Sequence, residues 1–191
     1  MTAVEGRKAA PAGAVRWARG FRLARPPGFA ADPAQVRLGE ALAARVIEAS
    51  KLTASAAAAT GLVELMSPRL ARQIRDVNTL TSRAIARFLI SGQGTTEAER
   101  NFISRVGMIA ARYGVSIGTL SRSYVLWRDT NLRVLNEEVN RLAIGQAVSN
   151  IARKIIRSSA ETGLERMARA YDYQLRLGGH GERRLAASAH R

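Results

Sequence analysis

The chain is 191 residues long, carries 30 Lys/Arg against 15 Asp/Glu for a formal charge of +15, and is 47% apolar but only 5% aromatic. That length and apolar content suffice for one domain with a buried core plus tails, and the Ala- and Leu-rich composition favours helix. There is no cysteine, which excludes disulfides and thiolate metal sites, and no run of ~18 apolar residues offers a membrane span.

The charge is unevenly spread. Residues 1–37 carry seven basic and two acidic side chains, residues 38–176 twenty and twelve, and residues 177–191 three and one. The middle is thus less basic per residue than the ends. Of the 30 basic residues only Lys8, Lys51 and Lys154 are lysine. A solvated basic surface is the plain reading, and nucleic-acid binding is the alternative. A cytoplasmic location is the expectation.

Residues 1–33 hold Pro11, Pro26, Pro27 and Pro33, four of the five prolines. They read as a basic, disordered tail. Val15 to Leu23 could instead form a basic amphipathic turn with Trp17 and Phe21 on one side, as in a membrane-surface arm, a nucleic-acid arm or a transit peptide. The helical domain is expected over 34–177, with a second tail over 178–191. Its first helix starts at Asp32-Pro33, a cap followed by a first-turn proline, with Val36, Leu42, Val46 and Ile47 as its stripe. The small residues Ser55 to Ala59 would admit a close helix approach, with an interruption before Gly61 as the competing reading. The second helix starts at Ser67-Pro68 and runs to about Ile90. Leu70, Ile74, Val77, Ile85, Phe88 and Leu89 line its inner side, and Arg69, Arg72, Arg75, Arg83 and Arg87 lie opposite or on the flanks.

After the Ser91 to Gly94 connection, Thr95 or Thr96 caps the third helix, whose Glu97 and Glu99 complement the helix dipole. Phe102, Val106, Ile109 and Tyr113 form its stripe. Gly114 suits a left-handed helix end and Ser116 a cap for the next helix. In that helix, over 116–142, Leu120, Tyr124, Trp127, Leu135 and Leu142 recur at helical spacing, interrupted by Asn131. A fifth helix runs from about Ile144 to Leu177 on Val148, Ile151, Ile155, Met167, Tyr171 and Leu175. Ser158, Ser159 and Gly163 thin its face, which predicts a kink, close helix packing or a small pocket.

The expected architecture is therefore all-α, with about five helices. Catalysis is not expected. His180 and His190 are the only histidines and both fall in the C-terminal tail, so the domain has no imidazole for general-base work, metal ligation or proximal haem ligation. Walker A, Gly-x-Ser-x-Gly and His-Glu-x-x-His patterns are absent. Glu137 and Glu138 are adjacent and diverge by ~100° on a helix, which argues against a face-to-face carboxylate pair. No cofactor and no metal are expected.

Two readings compete for 109–142. One is a helix-turn-helix transcriptional regulator using residues 109–122, with Ser116, Ile117, Thr119, Ser121 and Arg122 toward the major groove and Arg122 as the guanine reader. Gly118 within its recognition helix counts against it. The other is one long interior helix of a sensor or dimerisation module. Here the residues Leu120, Tyr124-Val125-Leu126-Trp127-Arg128-Asp129, Leu132, Leu135, Glu137-Glu138 and Arg141-Leu142 carry a resemblance. They are followed by Ser158, Leu164, Arg166, Met167, Ala168, Arg169, Tyr171 and Asp172. Over Glu99 to Tyr173 the chain resembles the helical N-terminal sensor domains of actinobacterial sensor histidine kinases and diguanylate cyclases. Those domains are in turn similar to the haem-free, globin-like domain of the stressosome co-antagonist (RsbR-type) family. The resemblance implies a globin-like homodimer without catalysis that signals to an output domain or to a kinase, cyclase or stressosome-type partner. Family members continue into an output domain and residues 1–33 have no counterpart there. The candidate core, dimer or sensing face is Tyr124, Trp127, Arg128, Asp129, Leu135, Met167 and Tyr171. Asp129 is expected to pair with Arg133, four residues on.

Overall fold

The computed structural model describes the backbone of residues 32–189 and the side chains of residues 32–178. The expectations for residues 1–31 lie outside the described residues. The described chain forms six α-helices: α1 (Pro33–Ala44), α2 (Val46–Ala59), α3 (Pro68–Ser91), α4 (Glu97–Arg112), α5 (Ile117–Arg141) and α6 (Gln146–Ala189), with a short 3-10 turn at Val63–Leu65. No strand occurs among the described residues. The all-α expectation holds, with six helices rather than about five. No described helix is long and apolar enough to cross a membrane.

The starts follow local chemistry. Asp32 accepts from the Ala34 N–H and Ser67 from the Leu70 N–H, each ahead of a first-turn proline. Thr96, not Thr95, caps α4, and Glu99 completes a capping box by accepting from the Thr96 N–H. Ser116 accepts from the Thr119 N–H and starts α5.

Three of the helix ends share one device. Gly61, Gly114 and Ala143 take positive φ. The next residue's N–H then reaches back to the last turn: Leu62 to the Ala57 carbonyl, Val115 to Ala110 and Ile144 to Val139. This is the Schellman arrangement, in which the following apolar side chain folds onto the helix end. Leu62, Val115 and Ile144 are all buried. Ala143 carries the strain of this conformation at φ 51° without being a glycine.

The first expected helix breaks at Arg45, which separates α1 from α2. The break re-phases the stripe. Leu38, Leu42, Val46 and Ala49 are buried, while Ile47, assigned inward from the sequence, is 53% exposed. Of the expected α4 stripe, Val106 is buried and Phe102 and Ile109 pack against the core, but the inward face centres on Ile103, Val106, Gly107 and Ala110, and Tyr113 is 52% exposed. Small residues set that face because α6 crosses there at close range. A Cβ on Gly107 would lie 2.2 Å from the Met167 carbonyl oxygen.

The helices pack as α1 on α3, α2 across α3 and α5, and α6 on α4 and α5. One contiguous core joins all six. Beyond Leu177, where the sequence pattern stops and a tail is expected, the helical backbone of α6 continues to Ala189. Gly178 and Gly179 each disfavour helix by about 1 kcal/mol relative to Ala, but the flanking Glu, Arg, Leu and Ala are good helix formers.

Candidate functional site: the interior face of the central helix

α5 is unbroken over Ile117–Arg141, about 37 Å at 1.5 Å per residue. Its inward face brings together part of the predicted site. Leu120, Tyr124, Trp127, Val134 and Leu135 are buried. The Tyr124 and Trp127 rings meet edge to face, with centroids 6.0 Å apart and planes at 64°. Met167 of α6 is buried in the same core, and Tyr171, half-buried, packs against it.

Trp127 is also a polar anchor. Its Nε1–H points at the Asn78 carbonyl (3.1 Å) and the Ser82 hydroxyl (3.0 Å) on α3. The Ser82 hydroxyl lies 3.0 Å from Asn131 Oδ1, and Asn131 Nδ2 donates to the Trp127 carbonyl at 2.8 Å. Asn131, which interrupts the apolar stripe in the sequence, closes a buried network that ties α5 to α3. A satisfied buried network fixes register between two helices.

Two groups beside this network lack partners. The Tyr124 hydroxyl is buried with no hydrogen bond, and burial pushes its pKa well above the ordinary phenol range. It sits against Gly163 of α6, where a Cβ would come within 2.7 Å of the phenol oxygen. Gly163 therefore provides close helix packing, and α6 is not broken there. With Ser159 and Thr162 it also lines a small cavity of about 20 Å³. The second orphan is Asn78 Oδ1.

Arg128 and Asp129 are not part of this face. They lie toward solvent and pair with each other, Arg128 Nε to Asp129 Oδ1 at 2.8 Å. The expected Asp129–Arg133 pair is replaced: Arg133 reaches Glu137 at 3.8 Å. Extended side chains allow adjacent residues to converge even though their Cβ vectors diverge.

The same applies to Glu137 and Glu138, which meet on Arg45 at the α1–α2 break. Arg45 Nη1 lies 2.7 Å from Glu137 and 3.1 Å from Glu138, and Nη2 reaches Glu48 at 2.5 Å. Glu138 is buried and is gripped on its other oxygen by Arg141 at 2.6 Å. Arg141 and Arg45 outweigh the opposing effect of burial and hold the Glu138 carboxyl below its usual range. Its carboxylates hold the Arg45 guanidinium firmly charged, Glu48 foremost. The sequence signal for this cluster was the Glu137-Glu138 pair, but its partner lies 93 residues away from Glu138.

The residues proposed to read DNA divide. Ile117 and Arg122 are exposed and Ser121 is half-buried. Thr119 is buried, and its hydroxyl lies 3.0 Å from Ser116 Oγ within the helix cap. Thr119 is thus a capping residue and does not face a groove, because the first turn of α5 already presents it to the core. Among the described residues no group of His, Asp or Glu could hold a metal ion.

The larger cavity lies elsewhere. About 230 Å³ opens between α2, the 3-10 turn, α3 and α5, lined mainly by Ala54, Ala57, Ala58, Leu62, Met66 and Ile74, with Asn78 and Ser123 at its polar side. Ala57 and Ala58, from the small-residue run of α2, line it. No family model, curated protein or solved structure matches this chain.

Proposed function

We propose that the chain is a non-catalytic, haem-free, globin-like signal-transduction module that acts as a homodimer and passes a change in helix packing along α6. The observation that carries this reading is the form of α6. Its first half is locked to α4 and α5 by Val148, Ala152, Ile156 and Met167. The same unbroken helix then runs on with Tyr173, Leu175 and Leu177 more than half exposed. A rod packed at one end and apolar at the other suits the transmission of a shift from a core to a second subunit or an output partner. Trp127, deep in the core of one chain, belongs to the packing that would change and not to the dimer surface.

The test is the mass of the chain by light scattering across a concentration series. The reading expects twice the 20.7 kDa of one chain. It further expects a Tyr173→Asp, Leu175→Asp double variant to be monomeric with an unchanged melting temperature. A mass of one chain at every concentration would contradict it. A second reading, DNA binding by the α4–turn–α5 unit, rests on exposed Ile117 and Arg122. Duplex binding that is indifferent to sequence and vanishes near physiological salt would dismiss it.

A further inference from the structure

The 230 Å³ cavity between α2, α3 and α5 is apolar inside and charged at its edge. Ala54, Ala57 and Ala58 line it from α2, three and four residues apart and so on one helix face. Leu62, Met66 and Ile74 close the apolar wall. Two hydroxyls also line it, Thr53 and Ser123. A hydroxyl donates or accepts and so selects no charge, and that of Thr53 already donates to the Ala49 carbonyl at 2.9 Å. Arg75 is the one charged residue along the lining. It is exposed, as are Ala58 and Val63, and these three mark the mouth. An exposed arginine on an apolar surface lays its methylene stem there and keeps its guanidinium in water. Among the described residues Arg75 has no hydrogen-bond or ion-pair partner. Neither Asp76, its neighbour in sequence, nor Glu64, next to Val63, is paired with it.

We infer that this cavity binds a small monocarboxylate with a flat apolar body, the body seated among the α2 and α3 side chains and the carboxylate held at the mouth by Arg75. The size follows from volume. An apolar cavity of about 150 Å³ holds benzene, so 230 Å³ accommodates a fused two-ring aromatic. The charge follows from Arg75. A guanidinium presents paired N–H donors that match a carboxylate, and one guanidinium with no second cation on the lining suits a monoanion. An anion kept at the mouth is spared the cost of burying a charge away from water. The apolar body thus supplies affinity through the area it removes from water, and the arginine supplies selectivity. A ligand seated there lies against Asn78, whose carbonyl anchors Trp127, so it would provide the signalling reading with an input. Binding is nevertheless measured apart from dimerisation, and either claim can fail alone.

The experiment is calorimetric titration of the full chain with 2-naphthoate and with 2-naphthamide, a neutral near-isostere. At low salt, wild type is expected to bind the acid at least about fivefold more tightly than the amide. The preference should shrink as salt rises, because Arg75 is exposed. Arg75→Met keeps an apolar stem without the charge. It should bring the preference to within about twofold and leave the amide affinity unchanged. Arg72→Met, on α3 but off the cavity lining, should alter neither affinity, which separates this site from a general attraction to a basic chain. Ala57→Leu should abolish binding of both compounds while melting at or above the wild-type temperature, because it fills space on a helix. If Ala57→Leu does not fold, Ala58→Leu at the mouth takes its place with the same expectation. The inference is overturned if wild type binds no 2-naphthoate at millimolar concentration, or binds the amide equally well at low salt. A preference that Arg75→Met leaves intact or that Arg72→Met lowers as much, or an affinity that the cavity-filling variant leaves unchanged, overturns it as well.

Discussion

Trp127 shows how one residue can be both core and connector. Its ring fills the space beside Tyr124, and its N–H holds α5 to α3 through Asn78 and Ser82. Trp127→Phe keeps much of the ring but removes the indole donor, leaving the Asn78 carbonyl and the Ser82 hydroxyl with one bond fewer each. It is expected to destabilise the chain by roughly 1–3 kcal/mol, read from denaturant midpoints, with a helical circular-dichroism spectrum retained. A pair of glycines gives opposite outcomes from the same substitution. Gly118 has open space around its missing Cβ, the nearest atom being Ser116 Oγ at 3.6 Å, whereas at Gly107 the Met167 backbone stands in the way. Gly118→Ala should stabilise by about 0.4–1 kcal/mol by restricting the unfolded chain. Gly107→Ala should destabilise by roughly 1–3 kcal/mol, because two helices must separate. Thermal melts of the two variants side by side test both.

Among the elements, helix starts were legible and helix faces less so. Asp32-Pro33, Ser67-Pro68, the Thr-Thr-Glu-Ala-Glu run and Ser116 are local signals, and each marks a helix start or its cap in the structure. The inner side of α3 was read correctly, since its large apolar residues repeat cleanly and all six are buried. The face of α4 was read in part: Val106 is buried and Phe102 and Ile109 pack against the core, but Tyr113 is exposed, and the inward Gly107 and Ala110 are positions that a hydrophobic stripe does not reveal. Nothing local in the sequence announces the Arg45 break. Its chemistry is long-range, a guanidinium meeting carboxylates from α5. The α5 terminus falls within a residue of the expected 142, even though Ala143, just past it, occupies a conformation usually given to glycine. Ala143→Gly should therefore stabilise the chain by about 0.5–1 kcal/mol, the relief of left-handed strain exceeding the added freedom of the unfolded state.

The Arg45–Glu138 cluster links α1, α2 and α5 and carries a pH signature. The Glu138 carboxyl titrates below its usual range when folded. Its stabilisation is thus complete above the ordinary unfolded value of about 4.3 and is lost as pH falls through the lower folded value. Melting temperature should fall as pH drops below about 4.3. Glu138→Gln should melt lower than wild type at pH 7 and converge with it in acid. Parallel curves at all pH values would show that Glu138 is not responsible.

At the scale of the whole molecule, a cysteine-free chain with an apolar helical extension offers a direct probe of assembly. Tyr171 with Leu175, and Tyr173 with Leu177, each stand one turn apart on α6, so this end of the helix has apolar residues on two sides. The sequence indicated this helix but not its extent, since its periodicity fades at Leu177 while the backbone continues helical to Ala189. The most direct measurement is oxidative cross-linking of Leu175→Cys at low protein concentration, with Lys154→Cys on the packed half of α6 as its comparison. A dimer paired along α6 predicts rapid, near-complete disulfide-linked dimer for Leu175→Cys and little for Lys154→Cys. Equal, slow and concentration-dependent cross-linking of the two would contradict it.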